Sequence, residues 1–397
     1  MSFIKENTQS YISLSPGGDA SEVGFSWYFN SGGKGCLSLC EKGNPASMRY
    51  FYAEGVPAEN QRGHYSFQLT VNALLPDTVY QYTLTNGNIQ SESYEFRTGP
   101  AGSFSFAAVG DPQLDSHSEK CNLSEWKKTL GIIADHEYFK GVGFIVSTGD
   151  QVEEYNDEDD YAAYLEHDEM KRFPVATAIG NHDTDSPLYN KHFNVANFSE
   201  YGKTAAGSNN HFVYNNALFL VLNTNIYVEA EHRDFLLETI SKYPDVRWRI
   251  AVFHNSIFTT GKHGPQRNLV AFREKLVPVL AEAGIDIVIN GHDHIYCRSY
   301  IMDVLTPVTD PSCYGDAFRS AEEPKGIVYI TLNSASGIKG YDKTGDYDYD
   351  ALTNQEHLPN VSRVDVSDGS LRIATYRTAD MSLVDEFTIY KTNRKKG

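Results

Sequence analysis

The sequence feature that most restricts the fold is a regular alternation, beginning at Phe104, of short apolar runs with longer amphipathic stretches. The apolar runs predict strands at residues 104–109, 144–147, 175–179, 218–222, 249–253, 285–289 and 327–332. The amphipathic stretches predict helices at residues 123–136, 160–171, 231–242 and 269–283. Strands that alternate with helices are typical of an α/β domain, which we assign to residues 103–397.

Residues 1–100 follow a different pattern, in which short alternating runs and turn signals predict a small all-β sandwich. Strands are expected at residues 25–29, 48–53, 64–71 and 79–85, and Asn86-Gly87 predicts a hairpin turn. The segment 74–82, LLPDTVYQY, resembles the tyrosine corner of a fibronectin type III module. The tail at 361–390 returns to hairpins, with a turn at Asp368-Gly369.

Composition excludes several classes of function. The 397 residues carry a formal charge of −18, which disfavours nucleic acid as a partner. The longest strongly apolar run, residues 217–222, is too short to span a membrane, and the first residues do not have the pattern of a signal peptide. Five cysteines, an odd number, do not predict a disulfide framework, so we expect Cys36 and Cys40 to be core thiols.

Polar residues follow several of the predicted strands in chain order. They are Asp111, Asp150, Asn181-His182-Asp183, His254 and His292-Asp293-His294, and glycine precedes most of these groups. Ligands of open α/β sheets bind outside the carboxyl ends of the strands, so we expect these side chains to converge on one crevice. Glycine there permits a sharp exit of the backbone from the strand.

This mixture of side chains is the chemistry of a site for two metal ions. Carboxylates and an amide supply oxygen ligands, and neutral imidazoles supply nitrogen for Fe, Mn or Zn. Two bridged cations can hold the attacking and leaving oxygens of an in-line displacement at phosphorus and lower the pKa of a bound water. The motifs therefore predict hydrolysis of a phosphate ester.

The ordered motifs Gly-Asp, Gly-Asp, Gly-Asn-His-Asp, Val-Phe-His and Gly-His-Asp-His are similar to those of the calcineurin-like metallophosphoesterases. The front module resembles the N-terminal domain of purple acid phosphatases. The resemblance implies two packed mixed sheets flanked by helices. It also implies a secreted, periplasmic or cell-surface protein, and it leaves the oligomeric state open.

The resemblance also implies a role for each motif residue. Asp150 would bridge two metals, with Asp111 and His294 on the first and Asn181, His254 and His292 on the second. His182 would face the substrate, where it stabilises charge or protonates the leaving oxygen. His263, nine residues after His254, is a second candidate for the general acid.

Two departures from the family pattern concern the first metal position. Purple acid phosphatases have tyrosine three residues after the second metal-binding aspartate, whereas this chain has Glu153, so the charge-transfer colour should be lost. The wider superfamily usually has Asp-x-His in its first motif, whereas this chain reads Asp111-Pro112-Gln113. Either the Gln113 amide oxygen or the Glu153 carboxylate would complete the position.

The resulting hypothesis is a phosphohydrolase for small phosphorylated substrates, phosphomonoesters first, in which a metal-bound hydroxide attacks phosphorus in line. A phosphodiesterase or nucleotide hydrolase of the same fold is an alternative. A different class of protein, a degenerate and non-catalytic binding protein, is the rival. Most aromatic residues are expected to pack in the core. Those that could line a pocket are Tyr155, Tyr161, Phe258, Tyr296 and Tyr341. Of these, Tyr296, which closely follows the Gly-His-Asp-His loop, is the one that we would test for contact with the substrate.

Overall fold

A computed structural model describes residues 7–58, 63–118 and 122–392. The strands of the front module are β1 (Ser10–Pro16), β2 (Val23–Phe29), β3 (Lys34–Glu41), β4 (Arg49–Glu54), β5 (Val56–Pro57), β6 (Tyr65–Val71), β7 (Val79–Asn86), β8 (Ile89–Gln90) and β9 (Tyr94–Arg97). They form two sheets, one with the order β1-β2-β6-β5 and one with the order β4-β3-β7-β8, in which β9 also pairs with β7. The predicted all-β sandwich is therefore present.

The tyrosine corner forms as the sequence predicts, since the backbone N–H of Leu75 donates to the Tyr80 hydroxyl at 2.8 Å. The hairpin also forms, but its turn is shifted by one residue. Asn86 pairs with Ile89, which leaves Gly87 and Asn88 in the turn, and Gly87 has a φ of +58°. Glycine suits that left-handed position because it has no Cβ.

The elements after the front module follow the predicted alternation. They are β10 (Phe104–Val109), α1 (Leu123–Asp135), β11 (Val142–Ser147), α2 (Glu158–Leu165), β12 (Val175–Thr177), α3 (Leu188–His192), β13 (Asn210–Tyr214), β14 (Ala217–Leu222), α4 (Glu229–Lys242), β15 (Trp248–Phe253), α5 (Arg267–Glu282), β16 (Ile287–Asn290), β17 (Tyr296–Ser299), β18 (Ile301–Asp303), β19 (Thr306–Val308), β20 (Ser320–Glu322), β21 (Val328–Thr331), β22 (Asp350–Asn354), β23 (Asn360–Val366), β24 (Ser370–Arg377) and β25 (Leu383–Tyr390).

Two seven-stranded mixed sheets organise this part of the chain. Their strand orders are β12-β11-β10-β23-β24-β25-β20 and β13-β14-β15-β16-β21-β17-β22. One apolar core lies between the sheets and contains residues of both, for example Phe106 and Phe144 from the first and Ile250 and Val328 from the second. A second core joins the first sheet to α1 and α2, and a third joins the second sheet to α4 and α5. The expected fold class, two packed mixed sheets flanked by helices, is confirmed.

One predicted helix is wrong in extent. The pattern predicts a helix over residues 160–171, but α2 ends at Leu165 and a separate short 3-10 turn covers Glu169–Lys171. Glu166 leaves the helical conformation with a ψ of 50°, and its carboxylate accepts a hydrogen bond from the backbone N–H of Tyr11. A contact with the front module therefore accompanies the helix end.

The front module packs closely against the α/β part, which explains why β1 and β2 are buried along their whole length. The ring of Tyr28 stacks on His192 with centroids 4.7 Å apart, and the Tyr11 ring lies 4.9 Å from the same imidazole. His192 is also bound to Glu158 at 2.7 Å. The division at residue 100 stays a prediction.

Two further expectations concern membranes and cysteines. Within the three described ranges, no helix is both long enough and apolar enough to cross a bilayer. Cys36 and Cys40 are free thiols, as are Cys297 and Cys313. Cys121 lies outside the described residues.

Candidate metal centre

Side chains from five strand ends meet at one place in the α/β part. Asp111 follows β10, Asp150 follows β11, His254 follows β15, and His292 and His294 follow β16. Asn181 and His182 lie four and five residues beyond the end of β12. Because β10, β11 and β12 are parallel, as are β14, β15, β16 and β21, these carboxyl ends lie at matching edges of the two sheets.

The backbone at these positions is strained. The predicted ligands Asp111, Gln113, Asp150, His292 and His294 all have positive φ, between +40° and +72°. Residues other than glycine rarely adopt this region, and such outliers persist only where the surroundings hold them. Their concentration in one centre indicates a functional site.

Neighbouring glycines leave room for the carboxylates. A Cβ on Gly180 would lie 2.0 Å from Oδ1 of Asp150, and a Cβ on Gly291 would lie 2.7 Å from Oδ2 of Asp111. Each separation is far shorter than any contact that two such atoms make. The glycines are therefore required because the side chain of another motif fills the space.

The Nε2 atom of His254 lies close to donor atoms of three other residues. Its Nε2 lies 2.9 Å from His292 Nδ1, 3.0 Å from Asn181 Oδ1 and 3.2 Å from Asp150 Oδ2. Adjacent donors of an octahedral ion with bonds of about 2.1 Å are about 3.0 Å apart, so this spacing suits a shared cation. On its other side, His254 Nδ1 is 3.0 Å from the Thr148 carbonyl, which fixes the ring with Nε2 toward the donors.

The donors that the sequence assigns to the first position are buried and incompletely bonded. Asp111 Oδ2 and Gln113 Oε1 have no hydrogen-bond partner among the described residues, although both side chains are almost fully buried. Nε2 of His294 lies 3.9 Å from Asp111 Oδ1. Buried acceptors are normally satisfied, so two buried oxygens without a hydrogen-bond partner, in residues only two positions apart, suit a role as ligands of a cation.

Glu153, the rival of Gln113, is engaged elsewhere. Its two carboxylate oxygens lie 2.8 Å and 3.1 Å from Nζ of Lys339. Its backbone carbonyl lies 2.7 Å from Nδ1 of His182. Of the two alternatives, Gln113 is the one whose oxygen lacks a partner.

Asp183, which the sequence places in the crevice without a role, organises the centre. Its Oδ2 accepts hydrogen bonds from the backbone N–H groups of Asp150 and Gly180, both at 2.8 Å, and its Oδ1 accepts from Gln151 at 3.1 Å. The carboxylate thus ties the loops after β11 and β12 together. The position of Asp183 in the Gly-Asn-His-Asp motif indicates that it belongs to the site, but its three backbone contacts are not visible in a sequence.

The two candidate catalytic histidines are oriented through their Nδ1 atoms. Nδ1 of His182 faces the Glu153 carbonyl, and Nδ1 of His263 lies 2.7 Å from Oδ1 of Asp293. The imidazole of His263 packs on His292 with ring centroids 4.1 Å apart. Each arrangement leaves Nε2 free for another partner, and His263 is thereby brought beside a predicted metal ligand.

Burial and close charges perturb the proton affinities of the centre. Burial raises the pKa of Asp111 to about 8 and lowers that of His294 to about 4. Burial would also lower the pKa of His254, but the charge and hydrogen bond of Asp150, together with the charges of Asp111 and Asp183, outweigh it and raise the value to about 9. Conversely, burial would raise the pKa of Asp150, but the charge and hydrogen bond of His254, together with the charges of His182 and His292, lower it well below the usual range. Such opposed shifts mark functional sites.

Tyr296 does not lie at this centre, so the sequence-based expectation for it is wrong. It is buried in the core between the sheets, and its hydroxyl donates to Asp385 at 2.9 Å. Tyr341 occupies the place expected for Tyr296. Its ring centroid lies 5.2 Å from that of His294 and 5.5 Å from that of His263.

Comparisons with known proteins show similarity to phosphoesterases in sequence and in fold. Residues 104–296 match the model of the calcineurin-like phosphoesterase family. Purple acid phosphatase 17 of Arabidopsis thaliana is 39% identical over 88 residues, which are 22% of this chain and 24% of that protein. Probable purple acid phosphatase 20 of the same plant is 22% identical over 284 residues, 68% of this chain and 61% of that protein. The matched segments thus span less than two thirds of these relatives.

Solved structures share the fold over nearly the whole chain. Purple acid phosphatase PPD1 from yellow lupin (Lupinus luteus) seeds superposes with a TM-score of 0.77 at 16% identity, covering 98% of this chain and 75% of the lupin chain. PhoD superposes with a TM-score of 0.66 at 12% identity, covering 98% of this chain and 94% of its own. The fold is therefore that of a purple acid phosphatase-like protein. Residues 104–296, which match the calcineurin-like phosphoesterase model, include every residue of the candidate metal centre from Asp111 to His294.

Proposed function

We propose that this protein is a metal-dependent phosphoric ester hydrolase that acts on small phosphate monoesters. The observation that carries the proposal is the convergence of Asn181, His292 and Asp150 donor atoms within 3.2 Å of His254 Nε2. Imidazole, amide and carboxylate donors together suit Fe, Mn or Zn. The family match over residues 104–296 supports the same class of reaction.

Two metal positions fit the residues present. Asp111, Gln113 and His294 would hold the first ion, Asn181, His254 and His292 the second, and Asp150 would bridge them. The orphaned oxygens of Asp111 and Gln113 support the first set. When bound, such a pair of cations lowers the pKa of a water and neutralises charge on the attacking and leaving oxygens.

His182 and His263 would supply the proton chemistry. With Nδ1 held by the Glu153 carbonyl, His182 can donate from Nε2 to a phosphoryl oxygen or to the leaving oxygen. His263, whose Nδ1–H is accepted by Asp293, is oriented for the same transfer. Both rings are only partly buried, so a substrate can reach them.

A protein with a net charge of −18 would be expected to repel a phosphate substrate, but the local charge of the metal centre can be positive. Two divalent ions would add four positive charges beside Asp111 and Asp150, so the centre can attract a phosphate dianion within an acidic protein. The rest of the surface keeps its negative charge and would repel long polyanions. A small monoester therefore fits better than DNA or RNA.

The proposal is tested by reloading metal-free protein with Mn(II), Zn(II) or Fe and measuring hydrolysis of p-nitrophenyl phosphate and bis-p-nitrophenyl phosphate. Turnover of the monoester with at least one metal is expected, and faster turnover of the diester would favour a phosphodiesterase. Asp150→Ala should abolish both metal binding and turnover, whereas Asp185→Ala, at an exposed position nearby, should change neither. A folded wild-type protein with no turnover under any metal would instead favour a non-catalytic binding protein.

A further inference from the structure

An ion pair lies beside the first metal position. Lys339 Nζ is 2.8 Å from Glu153 Oε2, and the two side chains are 32% and 23% exposed. The backbone of Glu153 lies close to that of Gln113. The N–H of Glu153 donates at 2.9 Å to the carbonyl of Leu114, which directly follows Gln113 in the chain. The chain thus places one carboxylate and one ammonium next to the proposed ligands of the first ion.

The segment that carries Lys339 contacts the segments of two proposed ligands. Three residues before Lys339, the Ser336 hydroxyl donates to the Pro112 carbonyl at 2.6 Å. Two residues after Lys339, the backbone N–H of Tyr341 donates to the His294 carbonyl at 3.4 Å. The ion pair therefore lies between the chain segments that carry Gln113 and His294.

The ligands of the first position carry little negative charge. Asp111 contributes one carboxylate, Asp150 contributes a carboxylate that it shares with the second position, and Gln113 is a neutral amide. His294 would bind the ion as a neutral imidazole. Glu153 would add a third carboxylate, but Lys339 neutralises it.

We propose that Lys339 holds Glu153 away from the first metal position and thereby keeps that position selective for divalent over trivalent ions. The inference rests on the metal centre of the proposed function. Releasing the carboxylate would add one negative charge near the ion, and Coulomb attraction to that charge is larger for a +3 ion than for a +2 ion. At separations of a few Å in a protein interior, the difference corresponds to about tenfold or more in relative affinity.

The test measures metal selectivity rather than activity. Metal-free protein is equilibrated with equal concentrations of Mn(II) and Fe(III) citrate and desalted, and the retained metals are counted by mass spectrometry, with high-spin Fe(III) checked by electron paramagnetic resonance. The wild type should retain mainly Mn(II). Lys339→Gln should raise the ratio of Fe(III) to Mn(II) at least tenfold, and the double change Lys339→Gln with Glu153→Gln should restore the wild-type ratio.

Lys262→Gln is the matched control, because Lys262 is a second lysine near the centre that contacts the Tyr341 ring at 4.7 Å instead of a carboxylate. It should leave the metal ratio unchanged. The inference would be overturned if Lys339→Gln retained Fe(III) and Mn(II) in the same ratio as the wild type. It would also be overturned if the double variant showed the same increase in that ratio as Lys339→Gln alone. Protein that shows the expected selectivity but no turnover would refute the proposed reaction alone, and turnover with unaltered selectivity would refute the inference alone.

Discussion

The carboxylate of Asp183 provides a test of how the centre is held together. It is fully buried and binds three backbone N–H groups in the loops that carry Asp150 and Gly180. Asp183→Asn keeps the shape of the side chain. The amide oxygen of the asparagine can still accept the two 2.8 Å hydrogen bonds from Asp150 and Gly180. The amide nitrogen then faces the backbone N–H of Gln151, so two hydrogen-bond donors oppose each other and this bond is lost.

The size of the effect follows from the lost contact. A hydrogen bond to a charged acceptor contributes about 1.5–3 kcal/mol, which corresponds to about 10- to 150-fold in an equilibrium constant. Asp183 does not have to touch a metal for this loss to matter, because it binds the backbone N–H of Asp150, a proposed ligand whose backbone is in the left-handed conformation. Changing a residue that hydrogen-bonds to a metal ligand typically lowers the metal affinity by about 10- to 100-fold. We therefore expect Asp183→Asn to weaken Mn(II) binding at least tenfold.

Isothermal titration of metal-free protein with Mn(II) measures this change directly. The control is Asp185→Asn, which removes the same charge two residues further along, at an exposed position. It should bind Mn(II) as the wild type does. An affinity of Asp183→Asn within threefold of the wild type would show that the loop geometry does not depend on this carboxylate.

Three further predictions follow from the geometry of the centre. His182→Ala should retain both metals and lower kcat about 100-fold, since the residue is placed as a proton donor, and loss of metal would contradict that role. Gly180→Ala should displace Asp150, whose Oδ1 would lie 2.0 Å from the new Cβ, and abolish metal binding, whereas Gly345→Ala, with its nearest neighbour at 3.8 Å, should be tolerated. Metal-free protein should lose stability to urea as the pH rises from 7.5 to 8.5, above the range in which the histidines of the unfolded chain titrate. The pKa of Asp111 is raised to about 8 and that of His254 to about 9, so over this window both groups hold protons in the folded state that the unfolded chain has released. Stability that increases over the same window would refute this explanation.

The sequence was sufficient to predict most strands of the α/β part, because buried strands need local apolar runs. Residues 104–109 and the core of 249–253 are examples, and the observed strands agree with them. The helix predicted over 160–171 ends at Leu165, and the contact between Glu166 and the front module that accompanies this end is not visible in the local sequence. The strand β1 was not predicted, and it contains Ser10, Ser13 and Ser15, which are buried only in the packed structure; the Ser13 hydroxyl, for example, donates to the carbonyl of His192.

For the metal centre, the sequence by itself determined which residue types stand after which strands, and the backbone rules of α/β sheets then predicted that they converge. Only the tertiary structure decided what each of them touches. It placed Lys339 on Glu153, 186 residues away, and left the oxygen of Gln113 without a partner. It also put Tyr341 rather than Tyr296 at the centre. Strand and loop propensities are local and can be read along the chain, whereas pairing and burial of side chains depend on segments that meet only when the sheets and loops pack.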